Sequence, residues 1–417
     1  MPGPFASGSQ CGQNGLIFRE KRVRVLIELP MTMPDGALQS PPPAKPARLY
    51  FIDWVRVLAF GLLILFHCAM PFVVFGWEIK NKQQSAMLSS VILWLHQWRL
   101  PLLFFIAGAG ANFSLARRSW YRFLGERVTR LFIPLWFAIL FIIPIQIYFE
   151  KLQHGQYSGT YLAFYPSVWT FVPYPEGTLS WSHLWFVAYL FVFNLLLLPL
   201  FLILKAAPVC RWKVALLQRV ASPVFLVGLA GVFVLIYFKC YIRWPEQLSL
   251  LDDWFVFNSS LTLFFLGYFL ADVSWFWETC EKYRWQFLAL AVVCILYLFA
   301  KYWWSLQLPK EQNQALYLYG VVNSIHVWTL ILAILGFARR YLNVGSPFLK
   351  YITPAVYPFY ILHQTVIVSS GYFVVQWPIP NLLKFAILTV VCFGSLALLY
   401  HFVIKRSVVT RVLFGVK

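Results

Sequence analysis

Charged residues are scarce in this sequence. Only 12% of its 417 residues are Asp, Glu, Lys or Arg, whereas 60% are hydrophobic. A water-soluble domain of this length cannot cover its surface with so little charge. The composition therefore excludes an ordinary soluble protein and indicates a chain that crosses a membrane several times.

Acidic residues are scarcer than basic ones, with 15 Asp and Glu against 34 Lys and Arg, which gives a net charge of +19. Most of the basic residues fall in every second segment between apolar runs, as is typical of loops that stay on the cytoplasmic side. The charge then reflects topology and attraction to anionic lipid. We therefore expect no nucleic-acid partner, and we expect a multi-pass protein of the bacterial inner (plasma) membrane with both termini cytoplasmic.

Closely spaced cysteine pairs are missing as well. The seven cysteines include no CxxC pair, the spacing that zinc sites commonly use. The sequence predicts no metal site.

Long apolar runs, in contrast, are abundant. A window of about 19 residues identifies candidate membrane spans. The predicted fold class is therefore all-α, a polytopic membrane helix bundle with about ten transmembrane helices. The predicted spans are 51–75, 88–114, 131–149, 183–204, 222–239, 255–272, 285–304, 317–337, 352–374 and 384–404.

The two ends of the chain differ from the apolar part. Residues 1–47 include Pro-Pro-Pro-Ala-Lys-Pro at 41–46 and a basic patch, a composition typical of a disordered segment. We predict a disordered cytoplasmic leader over 1–47, a transmembrane domain over 48–405 and a short cytoplasmic tail over 406–417.

The first predicted span holds three ionisable residues, Asp53, Arg56 and His67, in an otherwise apolar helix. A charged group at the bilayer centre costs roughly 2.5–3.5 kcal/mol, so such residues are functional candidates by default. Eleven residues separate Arg56 from His67, which places the imidazole about 16 Å deeper in a helix. Asp53 and Arg56 are three residues apart and are expected to pair.

The second span begins with His96 and Arg99 and contains a run of small residues from Ala107 to Ala111. Small residues allow membrane helices to approach closely. A basic loop follows, in which Arg127 and Arg130 lie one turn apart. Positive loops are common at the inner membrane face, but two guanidinium groups on one face also suit phosphate oxygens.

These residues together resemble the acyltransferase 3 family of integral membrane O-acyltransferases, over about residues 48–405. The resemblance rests on four sequence motifs, or marks. Each is weak alone, but all four in this order on these spans form a specific pattern. Where the family usually has Ser before a glycine, this sequence has Ala107. The later marks, with His96-x-x-Arg99, resemble especially a branch proposed to succinylate periplasmic glucans. The four marks are Arg56-x10-His67, Arg127-x-x-Arg130 before Leu-Phe-Ile-Pro, Ser182-His183-Leu-Trp-Phe, and Tyr357-Pro-Phe-Tyr-Ile-Leu-His363-Gln.

The resemblance implies transfer of an acyl group, succinyl or acetyl, from cytoplasmic acyl-CoA to a hydroxyl of a glycan or glycoside at the outer side of the inner membrane. Acyl-CoA would be a donor substrate, and no permanently bound cofactor is expected. The expected partners are acyl-CoA, a carbohydrate acceptor and the lipid bilayer. The acyl group, the acceptor and the oligomeric state are not predicted.

Roles for individual residues follow from chemistry and depth. A hydroxyl needs a base to become a good nucleophile, and His67 is the candidate, either as base or as a transient acyl carrier. His363, at a similar predicted depth, is the second catalytic candidate. Donor binding is assigned to Arg56, Arg127 and Arg130. Substrate binding is assigned to His96, Arg99 and His183.

Two other classes stay open. A secondary transporter or exporter of a polar metabolite or glycan would also place His, Arg and Asp in its spans, although no internal repeat is evident. A membrane anchor without catalysis would not need a histidine at mid-membrane depth. The aromatic-rich outer loop at 150–182 suits either a glycan or simple packing, and packing is favoured.

Overall fold

The computed structural model describes residues 48–416, apart from 242, 245, 247–249, 251 and 310. The predicted leader at 1–47 lies outside the described residues. The described part is helical and contains no strand. The helices are α1 Tyr50–Ala69, α2 Ala86–Ala116, α3 Trp120–Arg127, α4 Ile133–Phe141, α5 Ile143–Gln153, α6 Tyr161–Phe164, α7 Trp185–Lys205, α8 Ala207–Arg219, α9 Pro223–Gly228, α10 Ala230–Ile236, α11 Trp254–Leu270, α12 Ser274–Lys282, α13 Arg284–Leu298, α14 Gln314–Tyr341, α15 Pro347–Ile352, α16 Val356–Val374, α17 Asn381–Leu398 and α18 Val408–Leu413.

Short stretches of other helix types join several of these helices. Wider π-helical turns follow α3, α10, α13 and α17, and the first of them, Val128–Phe132, contains Arg130. Such turns are frequent at functional sites. The 3₁₀ turn Ser182–Leu184 leads into α7 and carries His183.

The all-α polytopic bundle is confirmed. Within the described ranges, eight helical segments are long and apolar enough to cross a membrane, or nine if α11 and α12, bent by 106°, form one span. The predicted span 352–374 corresponds to α16, which begins only at Val356. Its His363, Gln364 and Thr365 make it less apolar than the other spans.

Helix α1 lies at the centre of the site-bearing part of the bundle, where it packs against α2, α14, α16 and α17. Its buried face includes Phe51, Val55, Phe60 and Leu63. In a membrane these side chains exchange lipid for protein neighbours, so van der Waals packing rather than the hydrophobic effect stabilises the contact. Helix α2 packs most extensively against α11.

One end of the bundle, which we call the basic end, collects the start of α1, residues 117–130 and the C-terminal residues. Trp54 donates to the backbone oxygen of Val344 (2.9 Å), and Arg130 Nε donates to that of Gly415 (3.2 Å). The described chain thus begins and ends at the same end of the bundle. The side of the membrane that this end faces stays a prediction.

The predicted tail at 406–417 includes α18, which packs against α4. Phe414 contacts Phe137 with ring centres 5.4 Å apart. This segment therefore packs against α4 and against Arg130 of the basic end.

Candidate functional site

Two histidines from distant parts of the sequence meet inside the bundle. Nδ1 of His67 on α1 lies 3.2 Å from Nε2 of His363 on α16. His363 is fully buried, and His67 is half-buried. The structure therefore places these two predicted catalytic candidates in direct contact.

Hydrogen bonds to backbone oxygens fix the tautomers of the neutral rings. His363 Nδ1 lies 2.7 Å from the oxygen of Tyr360, so Nδ1 carries the proton and Nε2 accepts. His67 Nδ1 lies 2.9 Å from the oxygen of Leu63, one turn back along α1, and therefore also carries a proton. The lone pair of His67 is left on Nε2, which is the basic atom of the pair.

A third imidazole extends this arrangement. The ring of His183 lies 5.0 Å from that of His363 and almost perpendicular to it. His183 Nε2 lies 3.1 Å from the oxygen of Ile361 and donates to it, so Nδ1 is an acceptor. That Nδ1 is buried and has no hydrogen-bond partner among the described residues. Tyr360 fixes the segment by donating its hydroxyl to the backbone oxygen of His183.

Arg99 is a buried cation close to these rings. Its side chain is only 2% exposed, and its guanidinium carbon lies 3.7 Å from the centre of the Phe66 ring. Neither Nε nor Nη1 has a hydrogen-bond partner in the part of the chain that the structure describes. Burying unsatisfied donors of a charged group is costly. Arg99 is therefore suited to bind an anionic or polar ligand group.

His96 lies between Phe66 and a separate cavity. Its ring is stacked 6.3 Å from Phe66, and its Nε2 lies 3.0 Å from Glu246 Oε1. The cavity, of about 130 Å³, lies between α2, α7, α10, α11 and α14. Its wall includes His96, Gln97, Phe104, Trp185, Asn323 and Trp328.

A polar network that the sequence analysis missed adjoins the histidines. Gln364, next to His363, donates to Glu78 Oε1 (2.6 Å) and to Ser182 Oγ (3.4 Å). Gln146 also donates to Ser182 Oγ, at 2.6 Å. Two signals could have drawn attention to this network. Glu78 is one of only 15 acidic residues, and Gln364 directly follows a histidine that was singled out.

Glu78 lies in the loop after α1, outside the spanning segments. The pKa of its carboxyl is raised to about 7, mainly by burial and also by the nearby Glu150 carboxylate, whereas hydrogen bonds from its own backbone amide and from Gln364 act to lower it. Oε2 of Glu78 is buried and has no partner among the residues described. The carboxyl can therefore be charged or neutral near neutral pH.

The predicted donor-binding arginines lie at the basic end, separated from the histidines by most of the length of α1. Arg56 pairs with Asp53 at 3.5 Å, as predicted, and Asp53 also binds Arg48 at 2.7 Å. Arg127 stacks over Phe123 at 4.4 Å. Its Nε is buried without a partner in the described ranges.

Arg130 has different partners from Arg127 because the π-helical turn separates them. It pairs with Glu126 at 3.4 Å and binds the backbone oxygen of Gly415. Glu126 also pairs with Arg118. Arg56, Arg127 and Arg130 remain within electrostatic range of one another. The predicted site residues thus lie in two groups. One contains the histidines of the site together with Arg99, and the other contains Arg56, Arg127 and Arg130.

His326 does not belong to either group. Its Nε2 accepts from Trp94 Nε1 (3.1 Å), and its Nδ1 lies 2.9 Å from the oxygen of Ala291. Both ring nitrogens are satisfied, as expected for a packing histidine. In the described part of the chain, no three His, Cys, Asp or Glu side chains lie close enough together to hold a metal ion.

Several rings of the aromatic-rich loop at 150–182 pack against α5. The rings of Tyr157, Tyr161 and Phe164 surround Tyr148 at 5.4–6.0 Å between centres. Two of the three contacts are edge-to-face, so these rings take part in packing between the loop and α5.

The fold and the site define a multi-pass membrane protein with a polar, histidine-containing centre inside its helix bundle. The family model Acyl_transf_3, described as an acyltransferase domain, matches residues 49–401. The chain therefore belongs to the acyltransferase 3 family, and the protein is a membrane acyltransferase.

Individual relatives are similar over nearly the whole chain. Proteins named Glucans biosynthesis protein C from Salmonella paratyphi A and Salmonella agona (strain SL483) are each 24% identical over 367 residues. The match covers 85% of this chain and 91% of each relative. No solved structure matches this chain.

Proposed function

We propose that this protein transfers a succinyl or acetyl group from cytoplasmic acyl-CoA to a hydroxyl of a glycan at the outer side of the bacterial inner membrane. In this proposal both termini are cytoplasmic, so the basic end faces the cytoplasm. The name of the relatives supports a glucan as the acceptor. The observation that carries the proposal is the contact between His67 and His363, which uses His67 Nδ1, so that the lone pair on Nε2 can act as the base.

The chemical step needs a base that is oriented and has its proton on the correct nitrogen. His67 Nε2 accepts the proton of the acceptor hydroxyl while the oxygen attacks the thioester carbonyl. The carbon–sulfur bond then breaks, CoA leaves as a thiolate, and His67 returns the proton to that sulfur. The products are an ester and free CoA. His363 Nε2 shares the N–H of His67 Nδ1 with the backbone oxygen of Leu63 and stabilises the imidazolium that forms, as the third member of a triad does.

The arginines at the basic end are suited to the donor. CoA carries phosphate groups, which guanidinium groups bind well. Arg127 has an unpartnered buried Nε, and Arg56 lies within electrostatic range of it. The span from Arg56 to His67, about 16 Å along the helix, leaves room for the extended arm that ends in the thioester.

Arg99, His96 and His183 are suited to the other reacting groups. The free guanidinium donors of Arg99 can bind the distal carboxylate of a succinyl group. The unpartnered Nδ1 of His183 can accept from a sugar hydroxyl. These assignments favour a dicarboxylic donor over acetyl-CoA.

Mass spectrometry of cell-envelope glycans tests the proposal. Cells with wild-type protein, with His67→Ala and without the protein are compared. A succinyl or acetyl mass increment that occurs only with wild type is the expected result, and it identifies the acyl group. Identical glycan masses in all three strains would overturn the proposal of a glycan acceptor.

A further inference from the structure

The loop at 73–85, between the 3₁₀ turn after α1 and the start of α2, folds back toward the paired histidines. The Trp77 ring centre lies 6.5 Å from that of His67. The next residue, Glu78, is bonded to Gln364, the neighbour of His363. The loop therefore brings one aromatic ring and one carboxyl group to the edge of the site.

Hydrogen bonds hold this loop in one conformation. Lys80 Nζ donates to the backbone oxygens of Met70 (3.2 Å) and Phe75 (2.8 Å), and also to that of Val73. Lys384 on α17 donates to Asn81 Oδ1 at 2.8 Å. A loop tied down in this way positions its side chains before any ligand arrives, which reduces the entropy cost of binding.

The two oxygens of Glu78 have different surroundings. Oε1 accepts from Gln364, whereas Oε2 is buried and finds no donor among the described residues. A buried acceptor without a donor is unusual and calls for an explanation. The nearby Glu150 offers a contrast, because its Oε1 accepts the hydroxyl of Tyr174 at 2.7 Å. Glu78 therefore has one carboxyl oxygen, Oε2, that can still accept a hydrogen bond beside the histidines.

The chemistry of this pair of side chains selects the kind of ligand. A carboxylate accepts hydrogen bonds from hydroxyl groups, and an indole ring packs against the apolar face of a sugar ring. A negatively charged ligand would be repelled by the Glu78 carboxylate. An uncharged ring with several hydroxyl groups satisfies both side chains.

We propose that Trp77 and Glu78 form a subsite for one neutral sugar ring of the acceptor, and that this subsite positions the reacting hydroxyl at His67. The inference rests on the proposed function and adds the residues that recognise the acceptor. Trp77 contacts the face of the ring, and Glu78 Oε2 accepts from one of its hydroxyls. Both are binding residues, and neither takes part in proton transfer.

The test uses Glu78→Gln in the full-length protein. Glutamine keeps an oxygen at Oε1 for Gln364 and replaces only the unpartnered oxygen by an NH₂ group, so the loop keeps its contacts. Initial rates are measured in detergent or nanodiscs with succinyl-CoA or acetyl-CoA as donor and a short glucose oligosaccharide as acceptor. Glu150→Gln serves as the matched control, and Trp77→Leu tests the ring independently.

The expected result, measured at a pH above 7 where the carboxyl is charged, is a KM for the oligosaccharide raised about tenfold or more by Glu78→Gln, as the loss of one hydrogen bond to a charged group predicts. Trp77→Leu raises the same KM, the KM for the donor stays unchanged in both variants, and Glu150→Gln behaves as wild type. Equal effects on donor and acceptor, or an unchanged acceptor KM in both variants, would overturn the subsite. Wild-type protein that transfers no acyl group to any glycan would instead overturn the proposed function, so the two failures are distinguishable.

Discussion

Gly108 on α2 and Gly267 on α11 each face the backbone of the other helix. A Cβ at Gly108 would collide with the backbone oxygen of Phe264, and a Cβ at Gly267 would collide with that of Phe105. The prediction that the small residues from Ala107 to Ala111 allow a close helix contact is therefore confirmed. This contact holds α2, and with it His96 and Arg99, against the rest of the bundle.

Gly108→Ala is expected to lower the stability of the protein, because a methyl group would force the two backbones apart. Overpacking of a tight contact typically costs about 1–3 kcal/mol. Gly61→Ala on α1 is the matched control, since no described atom lies within 4 Å of a Cβ placed there. The yield of folded protein and its apparent Tm after extraction are the measurements. Equal values for the two variants would contradict the predicted contact.

His67→Ala is expected to reduce acyl transfer by about two to four orders of magnitude, the usual contribution of a positioned general base. His401→Gln is the control, because His401 is exposed and hydrogen-bonded to Tyr351. The rate of CoA release in the presence of acceptor is measured for both. A His67→Ala variant with wild-type rates would rule out both the base and the acyl-carrier role.

Arg99→Gln should weaken succinyl transfer more than acetyl transfer, because only the succinyl group carries a carboxylate for the guanidinium. The difference expected for a charged hydrogen bond is about tenfold or more. The ratio of kcat/KM for the two donors reports it directly. Equal losses with both donors would mean that Arg99 does not bind the distal carboxylate.

Arg56→Ala and Arg127→Ala should raise the KM for acyl-CoA and weaken its salt dependence, since each removes a cation from the proposed phosphate site. Arg122→Ala removes an exposed arginine from the same basic segment and serves as the control. Isothermal titration with a non-transferable CoA analogue measures the binding alone. Donor affinity that is unchanged in both variants would move the donor site elsewhere.

Glu78 predicts a pH dependence of stability. The pKa of its carboxyl is raised from 4.5 to about 7 in the folded protein, so the folded state binds more protons than the unfolded state between these values. Stability therefore falls as the pH rises through this window. Glu78→Gln removes this contribution, and its apparent Tm should exceed that of wild type above the window but not below it. Parallel pH profiles of Tm for the two proteins would contradict this expectation.

The sequence was sufficient to predict the bundle and the residues that gather in it. Polar residues such as His67, Arg99 and His363 are conspicuous in apolar helices, because placing a polar side chain in lipid costs free energy. Their mutual contact was not predictable, because the depth of a residue along its own helix does not show which faces of two helices meet. The break between α15 and α16, which precedes His363, was also not evident from the sequence.

The network around Glu78 escaped prediction for a different reason. Glu78 lies in a loop, where a charged residue is ordinary, and only the backbone path after α1 brings it next to Gln364. Likewise, the spacing of Arg127 and Arg130 suggested a shared face, but the π-helical turn gives them different partners. Irregular backbone of this kind has no simple sequence periodicity.

The unbroken course of α1 from Tyr50 to Ala69 has a consequence for the choice of donor. Because Arg56 and His67 belong to one rigid helix, the distance of about 16 Å between them cannot adjust to the ligand. In the proposed reaction, α1 therefore determines how long the donor must be between its phosphates and its thioester. A thioester that reaches His67 while its phosphates stay at Arg56 must have an arm of matching length. A shorter thioester can reach either Arg56 or His67, but not both at once.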